Sequence, residues 1–405
     1  MLFPTIRFAI FFALVLPTSW LLLPHPRRWR VFMLLASFVF YASWNNGYVL
    51  LLAGSIVGNQ LFARRIARTE GPPRVRWTGL AVAANLAVLG WYKYAGFAAD
   101  STSTFLGWFG IDAHIEVPNL LLPVGISFFT FQALSYVIDV HRRRCEPASF
   151  LDFAVYLSFF PHLVAGPIVR ASELLPQIRR RHDPRQVDGT LAFWLIASGL
   201  FKKVVIASYL GETADSLFAF PHQHGGLEAL VAVYAYALQI YADFSGYTDM
   251  AIGLALLLGF RFPANFDAPY TATSLQDFWR RWHMTLSRWL RDYLYIPLGG
   301  NHGSRRRTYR NLMITMLLGG LWHGAAWTFV VWGGIHGGGL ALERWWRERK
   351  EPPSTPAREP DPEPVLVGIG GVTTALLPSS GTPAEPEERT KEEEPRYEVR
   401  GVVLS

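Results

Sequence analysis

The sequence of 405 residues contains one cysteine, Cys145, and only 17% charged residues. One cysteine excludes an intramolecular disulfide and a multi-cysteine metal centre, and no metal site is expected. Soluble domains carry about 25% charged residues, whereas 51% of this chain is hydrophobic before its 35 glycines are counted. The scarcity of charge therefore argues against an ordinary soluble enzyme and against a disordered protein.

The chain also lacks the short motifs of two large enzyme classes. Without a Gly-x-Ser-x-Gly nucleophile elbow, a serine hydrolase mechanism has no motif support. Without a P-loop or a Gly-x-Gly-x-x-Gly phosphate cradle, nothing indicates nucleotide hydrolysis. No tightly bound cofactor is expected.

Charge is divided unevenly along the chain. Residues 1–350 carry a net +13, whereas residues 351–405 carry −6. The arginine clusters lie between apolar stretches, which is typical of cytoplasmic loops in a membrane protein and not of a nucleic-acid partner. We therefore expect these loops to lie on the cytoplasmic side and the N-terminus to lie outside. The loops are 25–30, 64–76, 141–144 and 179–181.

Apolar stretches near the ~20 residues that cross a bilayer recur through the first 350 residues. The first is predicted to be retained, because its basic residues follow the apolar run and no cleavage site appears. The pattern predicts an all-α, polytopic helical bundle in the lipid bilayer with about nine to eleven segments, some of them tilted or re-entrant. The last two candidates are long enough for more than one pass, and the full set is 5–23, 31–45, 48–63, 78–97, 119–138, 150–168, 190–210, 227–259 and 310–346.

Turn and breaker residues refine this picture. Asn45-Asn46-Gly47 predicts a turn between two short helices. Segment 150–168 is expected to enter the membrane and return, since it contains Pro161, Gly166 and Pro167 between two basic loops. Broken backbone at membrane depth is tolerated only inside protein or beside water, so this segment is a first hint of a site.

Residues 277–298 combine arginines with tryptophans and predict an amphipathic helix at the membrane interface. One interpretation is an anchor whose arginines reach the lipid headgroups. The other is a basic lip that attracts an anionic donor, with Arg280, Arg281 and Arg288 as donor-side candidates. His283 lies in the same stretch.

His323 lies within a long apolar run and is flanked by glycines. Ionisable side chains at membrane depth are rare and costly, so each is a functional hypothesis. Imidazole is the commonest general base. The alternative is a core histidine bonded to a backbone carbonyl.

Two carboxylates, Asp243 and Asp249, lie inside the apolar stretch 227–259. Their separation of six residues does not place both on one ideal helical face, which argues against a catalytic pair. Buried carboxylates need partners, and Lys202 with Lys203 could supply them.

Several long stretches resemble the membrane-bound O-acyltransferase (MBOAT) family, in particular its bacterial branch for alginate O-acetylation and D-alanyl transfer. The resemblance covers about residues 1–346 and rests on stretches 122–142, 159–170, 199–207, 239–270, 277–283 and 317–337. It implies a helical ring around a thin centre, with a funnel that ends at His323. His283 matches the family's second motif histidine, expected near the cytoplasmic mouth.

The resemblance further implies acyl transfer, most simply acetyl transfer from a thioester such as acetyl-CoA or an acyl carrier. The acceptor would be a polysaccharide outside the cell membrane, and an extracytoplasmic esterase-like protein would complete the transfer. His323 would remove the hydroxyl proton, and candidates for stabilising the oxyanion are Trp322, Tyr241 and backbone amides.

The predicted domains are a transferase domain, 1–350, shortened at its C-terminal end relative to the family, and a Pro/Glu-rich disordered tail, 351–405. The tail holds 10 of the 27 prolines. Two other functions stay open. One is a transporter or flippase that uses His323 and Asp243 as a proton relay, and the other is an inactive scaffold of an exopolysaccharide complex.

Overall fold

A computed structural model describes residues 1–112, 115–118, 121–180 and 182–350. The predicted tail lies outside these residues. The described part consists of helices and connecting turns without a strand, which confirms the all-α class. Its α-helices are α1 (Ile6–Leu22), α2 (Pro26–Ala42), α3 (Asn46–Ala67), α4 (Gly71–Gly107), α5 (Ile126–His141), α6 (Phe150–Ser158), α7 (Phe160–Leu163), α8 (Ala171–Arg179), α9 (Gly189–Phe201), α10 (Ser208–Ala219), α11 (Gly226–Leu257), α12 (Leu275–Arg281), α13 (Met284–Leu290), α14 (Arg305–His323) and α15 (Trp327–Lys350).

Two described helical stretches are long and apolar enough to cross a membrane. One is Gly189–Ala219, in which a π-helical segment, Lys202–Ala207, joins α9 to α10; the other is Gly226–Leu257, which is α11. Helix α1 is apolar but shorter. The number of crossings remains a prediction. The option of more than one pass within 227–259 is wrong, because α11 is one uninterrupted helix.

The turn and breaker residues predicted from the sequence lie at helix boundaries in the structure. The Asn45 side chain accepts a hydrogen bond of 2.8 Å from the Gly47 backbone N–H and so begins α3. Segment 150–168 is broken, since α6 ends at Ser158 and the four-residue α7 follows at once. The return path of this segment through a membrane remains a prediction.

Helices α4 and α5 run antiparallel. Near the start of α4, the Arg74 guanidinium donates hydrogen bonds to the carbonyls of Val140 (2.7 Å) and His141 (3.1 Å), at the end of α5. Farther along α4, Lys93 approaches Ser127 at the start of α5. This pairing defines two ends of the helix pair, called below the His141 end and the Ile126 end.

An aromatic stack ties three helices together beside the candidate site. The rings of Phe131 and Trp289 are parallel, with centroids 4.0 Å apart, and Trp322 stacks on Phe131 at 5.4 Å. The Trp289 indole N–H also donates to the Phe131 carbonyl at 2.9 Å. Helices α5, α13 and α14 are thereby fixed relative to one another.

The prediction of one amphipathic helix over 277–298 is wrong. The chain forms α12, breaks at Trp282 and His283, and continues through α13 into a π-helical segment, Arg291–Tyr295. The break falls at His283, whose backbone φ of 43° lies in the left-handed region that interrupts a right-handed helix.

The stretch 310–346, which is long enough for more than one pass, contains two helices, α14 and α15, which pack along a glycine seam. A Cβ atom on Gly320 would press into the carbonyl oxygen of Phe329, and one on Gly333 would press into that of Met316. Only residues without a side chain permit this separation of the two helices. The seam lies one turn before His323.

Candidate active site

A cavity of about 180 Å³ runs along one face of α14. The α14 residues that line it recur three or four positions apart, as expected for one helical face: Leu312, Thr315, Met316, Gly319 and His323. With a rise of 1.5 Å per residue, this row extends over roughly 16 Å. The other lining residues are Trp279, Leu286, Ser287, Leu290, Arg291, Tyr295, Trp332 and Leu340. The cavity is therefore a mostly apolar slot whose α14 wall ends at His323.

The slot is oriented between the two ends defined above. Its lining residue Arg291 precedes Asp292, whose carbonyl accepts a hydrogen bond of 3.1 Å from Arg142, at the His141 end. Trp322 contacts Lys93, which also approaches Ser127 at the Ile126 end. The slot thus leads from the end with the basic 141–144 loop towards His323.

His323 is the last residue of α14, at the break before α15, and not the middle of a membrane helix. Its side chain is exposed to the cavity. The rings of Trp322 and Trp332 flank the imidazole, with centroid distances of 4.9 and 5.3 Å. The two aromatic rings restrict the imidazole and leave it facing a mostly apolar cavity.

Two neighbouring residues of α4 hold the end of α14. The Tyr94 hydroxyl donates to the Leu321 carbonyl at 3.0 Å. The Lys93 ammonium donates to the Trp322 carbonyl. The backbone carbonyls of the two residues before His323 therefore both accept hydrogen bonds from side chains of α4.

His283 is fully buried and does not belong to the cavity lining. Its Nδ1 lies 3.0 Å from the side-chain oxygen of Asn265, which also accepts from the backbone N–H (3.2 Å) and hydroxyl (2.8 Å) of Thr285. A backbone N–H only donates, so the Asn265 atom is the oxygen and His283 donates through Nδ1. Nε2 then carries the lone pair, and it has no hydrogen-bond partner among the described residues.

The predicted donor-side arginines are not brought into the cavity. Arg281 pairs with Asp277 at 3.0 Å, and Arg288 pairs with Glu173 at 3.3 Å. Arg280 is exposed on α12. The arginine in the lining is Arg291, which belongs to the same sequence pattern but follows the helix break.

The intramembrane carboxylates have the partners predicted for them. Lys202 binds Asp249 at 2.6 Å, and Lys203 binds Asp243 at 2.5 Å. These pairs connect α11 with the π-helical segment after α9. The prediction that Lys202 and Lys203 are the partners of these carboxylates is confirmed.

The two oxyanion candidates lie in different places. The Trp322 indole N–H is buried beside His323 and lacks an acceptor within the described part of the chain. Tyr241 belongs to an aromatic group with Phe266, Tyr270 and Trp282. Neither Trp322 nor Tyr241 lines the cavity, but the Trp322 ring lies 4.9 Å from that of His323, which favours Trp322 over Tyr241.

Sequence reasoning missed Lys93 and Asn265. Lys93 carried a usable signal, because it is an ionisable residue inside the apolar stretch 78–97, and the rule applied to His323 applies equally to it. Asn265 carried no comparable signal. It lies in an irregular connection, and only the folded chain brings it to His283.

Comparison with known proteins agrees with the sequence resemblance. A family model, MBOAT, membrane-bound O-acyltransferase family, matches residues 142–359. A probable alginate O-acetylase AlgI of Azotobacter vinelandii is 47% identical over 328 residues, covering 79% of this chain and 64% of the relative. A peptidoglycan O-acetyltransferase of Helicobacter pylori is 41% identical over 347 residues, with 79% and 64% covered.

A more distant relative is a teichoic acid D-alanyltransferase of Streptococcus thermophilus. It is 29% identical over 246 residues, which cover 58% of this chain and 59% of the relative. The chain thus spans less than two thirds of the length of these relatives. The family match itself extends over more than half of the chain, and this protein belongs to the membrane-bound O-acyltransferase family.

Proposed function

We propose that this protein is a multi-pass O-acetyltransferase of the cell (inner) membrane that acetylates an alginate-like extracellular or cell-wall polysaccharide. The observation that carries the proposal is the apolar slot that leads from the basic end of the fold to His323. The names of the relatives, alginate O-acetylase and peptidoglycan O-acetyltransferase, support both the acetyl group and the polysaccharide.

In the proposed reaction, the acceptor hydroxyl oxygen attacks the carbonyl carbon of an acetyl thioester. His323 takes the hydroxyl proton as the new C–O bond forms. The tetrahedral oxyanion accepts a hydrogen bond, for which the free Trp322 indole N–H is the candidate. Collapse of the intermediate breaks the C–S bond, and His323 returns the proton to the leaving thiolate. The products are the O-acetyl ester and the thiol.

His283 is proposed as the second histidine of the reaction. Its Nδ1–H is engaged by Asn265, so its buried Nε2 offers a lone pair in a fixed direction. The ring lies 5.9 Å from that of Trp322, centroid to centroid. A hydrogen-bond donor that reaches this space would donate to Nε2.

The donor is proposed to be acetyl-CoA or an acetylated carrier, bound as a substrate from the basic end. Both carry anionic phosphate, for which arginine is a good partner. Arg291 borders the slot, and Arg280, Arg281 and Arg288 lie on the preceding helices. An extracytoplasmic esterase-like protein is the proposed partner that finishes the transfer to the polysaccharide.

The test is ester-linked acetate on extracellular polysaccharide in a host that lacks its own transferase. The chain should restore acetate and a His323→Ala variant should not, because no base then remains at the end of the slot. His302→Ala is the matched control, since His302 is an exposed histidine in the turn before α14.

Full acetylation by a folded, inserted His323→Ala variant would contradict this proposal. Loss of acetate with every variant, including the unchanged chain, would favour the scaffold or the transporter instead. The transporter would use His323 with Asp243, although Asp243 is bound by Lys203 in this structure.

A further inference from the structure

The backbone carbonyls at the C-terminal end of α14 need hydrogen-bond donors from outside the helix. The last four carbonyls of a helix have no donor within the helix itself. Gly324, directly after His323, is extended, with φ −160° and ψ 145°, so the chain departs without closing a further turn. Donors for the Leu321 and Trp322 carbonyls must therefore come from elsewhere.

Lys93 and Tyr94 supply these donors from consecutive positions of α4. The Trp322 carbonyl belongs to the same peptide group as the His323 backbone nitrogen. Whatever holds that carbonyl therefore also orients the backbone from which the His323 side chain projects. Tyr94 holds the preceding peptide group in the same way.

The charge of Lys93 adds to the hydrogen bond. A cation near the C-terminus of a helix is stabilised by the helix dipole. The ammonium also lies 5.5 Å from the centre of the Trp322 ring, within the range of a cation–π contact. Ser127 lies 3.4 Å from the same nitrogen and links it to the start of α5.

We propose that Lys93 and Tyr94 are positioning residues for His323, with Lys93 the more important of the two. The proposal rests on the proposed function, because it assigns these residues to the acyl-transfer step. It explains why an ionisable side chain lies within the apolar stretch 78–97 of α4. Lys93 acts through the Trp322 peptide group and does not react with the substrate.

Four variants separate positioning from folding. Lys93→Met removes the ammonium but keeps the length of the side chain, whereas Lys93→Arg keeps the charge and the donors. Tyr94→Phe removes only the hydroxyl. Tyr92→Phe is the matched control, because Tyr92 lies on the same helix and packs against the ring of Tyr48.

Acyl transfer is measured with purified protein over a range of donor concentrations. Misplacement of a catalytic group by about 1 Å lowers turnover by up to about a hundredfold. Lys93→Met should lower kcat by about ten- to a hundredfold with little change in the donor KM, and Lys93→Arg should restore most of it. Tyr94→Phe should have a smaller effect and Tyr92→Phe none. An unchanged kcat in Lys93→Met overturns the proposal.

Amide hydrogen exchange of the same four variants gives a readout that does not require activity. Exchange should become faster in peptides that cover 318–326 for Lys93→Met and Tyr94→Phe, and stay unchanged for 305–314 and for Tyr92→Phe. Unchanged exchange at 318–326 also overturns the proposal. If exchange becomes faster in these variants but the unsubstituted protein shows no acyl transfer, the contacts of Lys93 and Tyr94 with α14 are supported. The proposed function is then refuted instead.

Discussion

At the scale of single residues, the buried polar groups near His323 depend on partners that are distant in sequence. His283 has a left-handed backbone and no exposure, which is costly for an imidazole unless its hydrogen bonds are made. The oxygen of Asn265 accepts from Nδ1 of His283 and from the backbone N–H and hydroxyl of Thr285, whereas Nε2 of His283 has no partner among the described residues. A single amide thereby sets both the tautomer of His283 and the start of α13.

Replacement of Asn265 by alanine should therefore destabilise the protein and impair acyl transfer. It leaves the donors of His283 and Thr285 buried without an acceptor, which typically costs about 1–3 kcal/mol for each group. Thermal unfolding in detergent measures the effect. Asn46→Ala is the control, since Asn46 is exposed at the start of α3. Equal midpoints for the two variants would refute this account of Asn265.

At the scale of helices, two seams of glycine let neighbouring helix backbones pack closely. Gly320 and Gly333 join α14 to α15, and a Cβ on Gly199 would lie 2.5 Å from the Gly246 carbonyl, between α9 and α11. Small residues let helix backbones approach closely in membrane proteins. The first seam matters for function because it holds the helix that ends in His323 against Trp332.

Gly320→Ala should separate α14 from α15 and destabilise the protein by about 1–3 kcal/mol, the usual range for overpacking. The matched control is Gly334→Ala on α15, whose new Cβ would only touch the Leu317 side chain at 3.7 Å. Thermal midpoints and acyl transfer should both fall for the first variant and change little for the second. A larger loss for Gly334→Ala than for Gly320→Ala would contradict the assignment of Gly320 to the seam between α14 and α15.

The ion pairs between the π-helical segment and α11 form a second feature at this scale. Lys202→Met should leave Asp249 without its partner and destabilise the pair of apolar helices. Loss of one partner of a fully buried pair costs about 3–5 kcal/mol, and the partial exposure of both side chains makes a smaller loss expected. Folded yield and thermal unfolding measure it. Adding Asp249→Asn should recover part of the loss, and no recovery would mean that the pair is not coupled.

At the scale of the whole molecule, the antiparallel pairing of α4 and α5 defines which loops share a side. The end of α4 and the start of α5 lie opposite the basic 141–144 loop. If that loop is cytoplasmic, residue 112 is extracytoplasmic. The part of the slot at Arg291 then lies towards the cytoplasmic side, as the proposed direction of transfer requires.

Cysteine labelling in intact cells tests this orientation. Burial raises the pKa of the native Cys145 thiol to about 12, which makes it a slow target because the thiolate is the reactive form. We therefore use Cys145→Ser with either Glu146→Cys or Asp112→Cys, both at exposed positions. An impermeant maleimide should label position 112 in intact cells and position 146 only after permeabilisation. The opposite pattern would invert the assigned orientation.

Composition and periodicity were sufficient for the helical class and for His323 as a candidate, whereas the family came from the resemblance of several motif stretches. The helix breaks at Asn45 and within 150–168 followed from turn and breaker residues, which act locally. Lysine partners for Asp243 and Asp249 followed from the cost of burying charge. These features depend on local backbone preferences or on solvation, and both are encoded in short stretches of sequence.

The site itself was decided by tertiary structure. The helix predicted over 277–298 is broken because Asn265 holds His283 in a left-handed conformation, and periodicity carries no trace of such a contact. Arg291, which lies beyond that break, lines the slot. Lys93 meets the Trp322 carbonyl across more than two hundred residues of chain. Sequence alone marks the groups that are costly to bury, and the fold decides which partners make their burial possible.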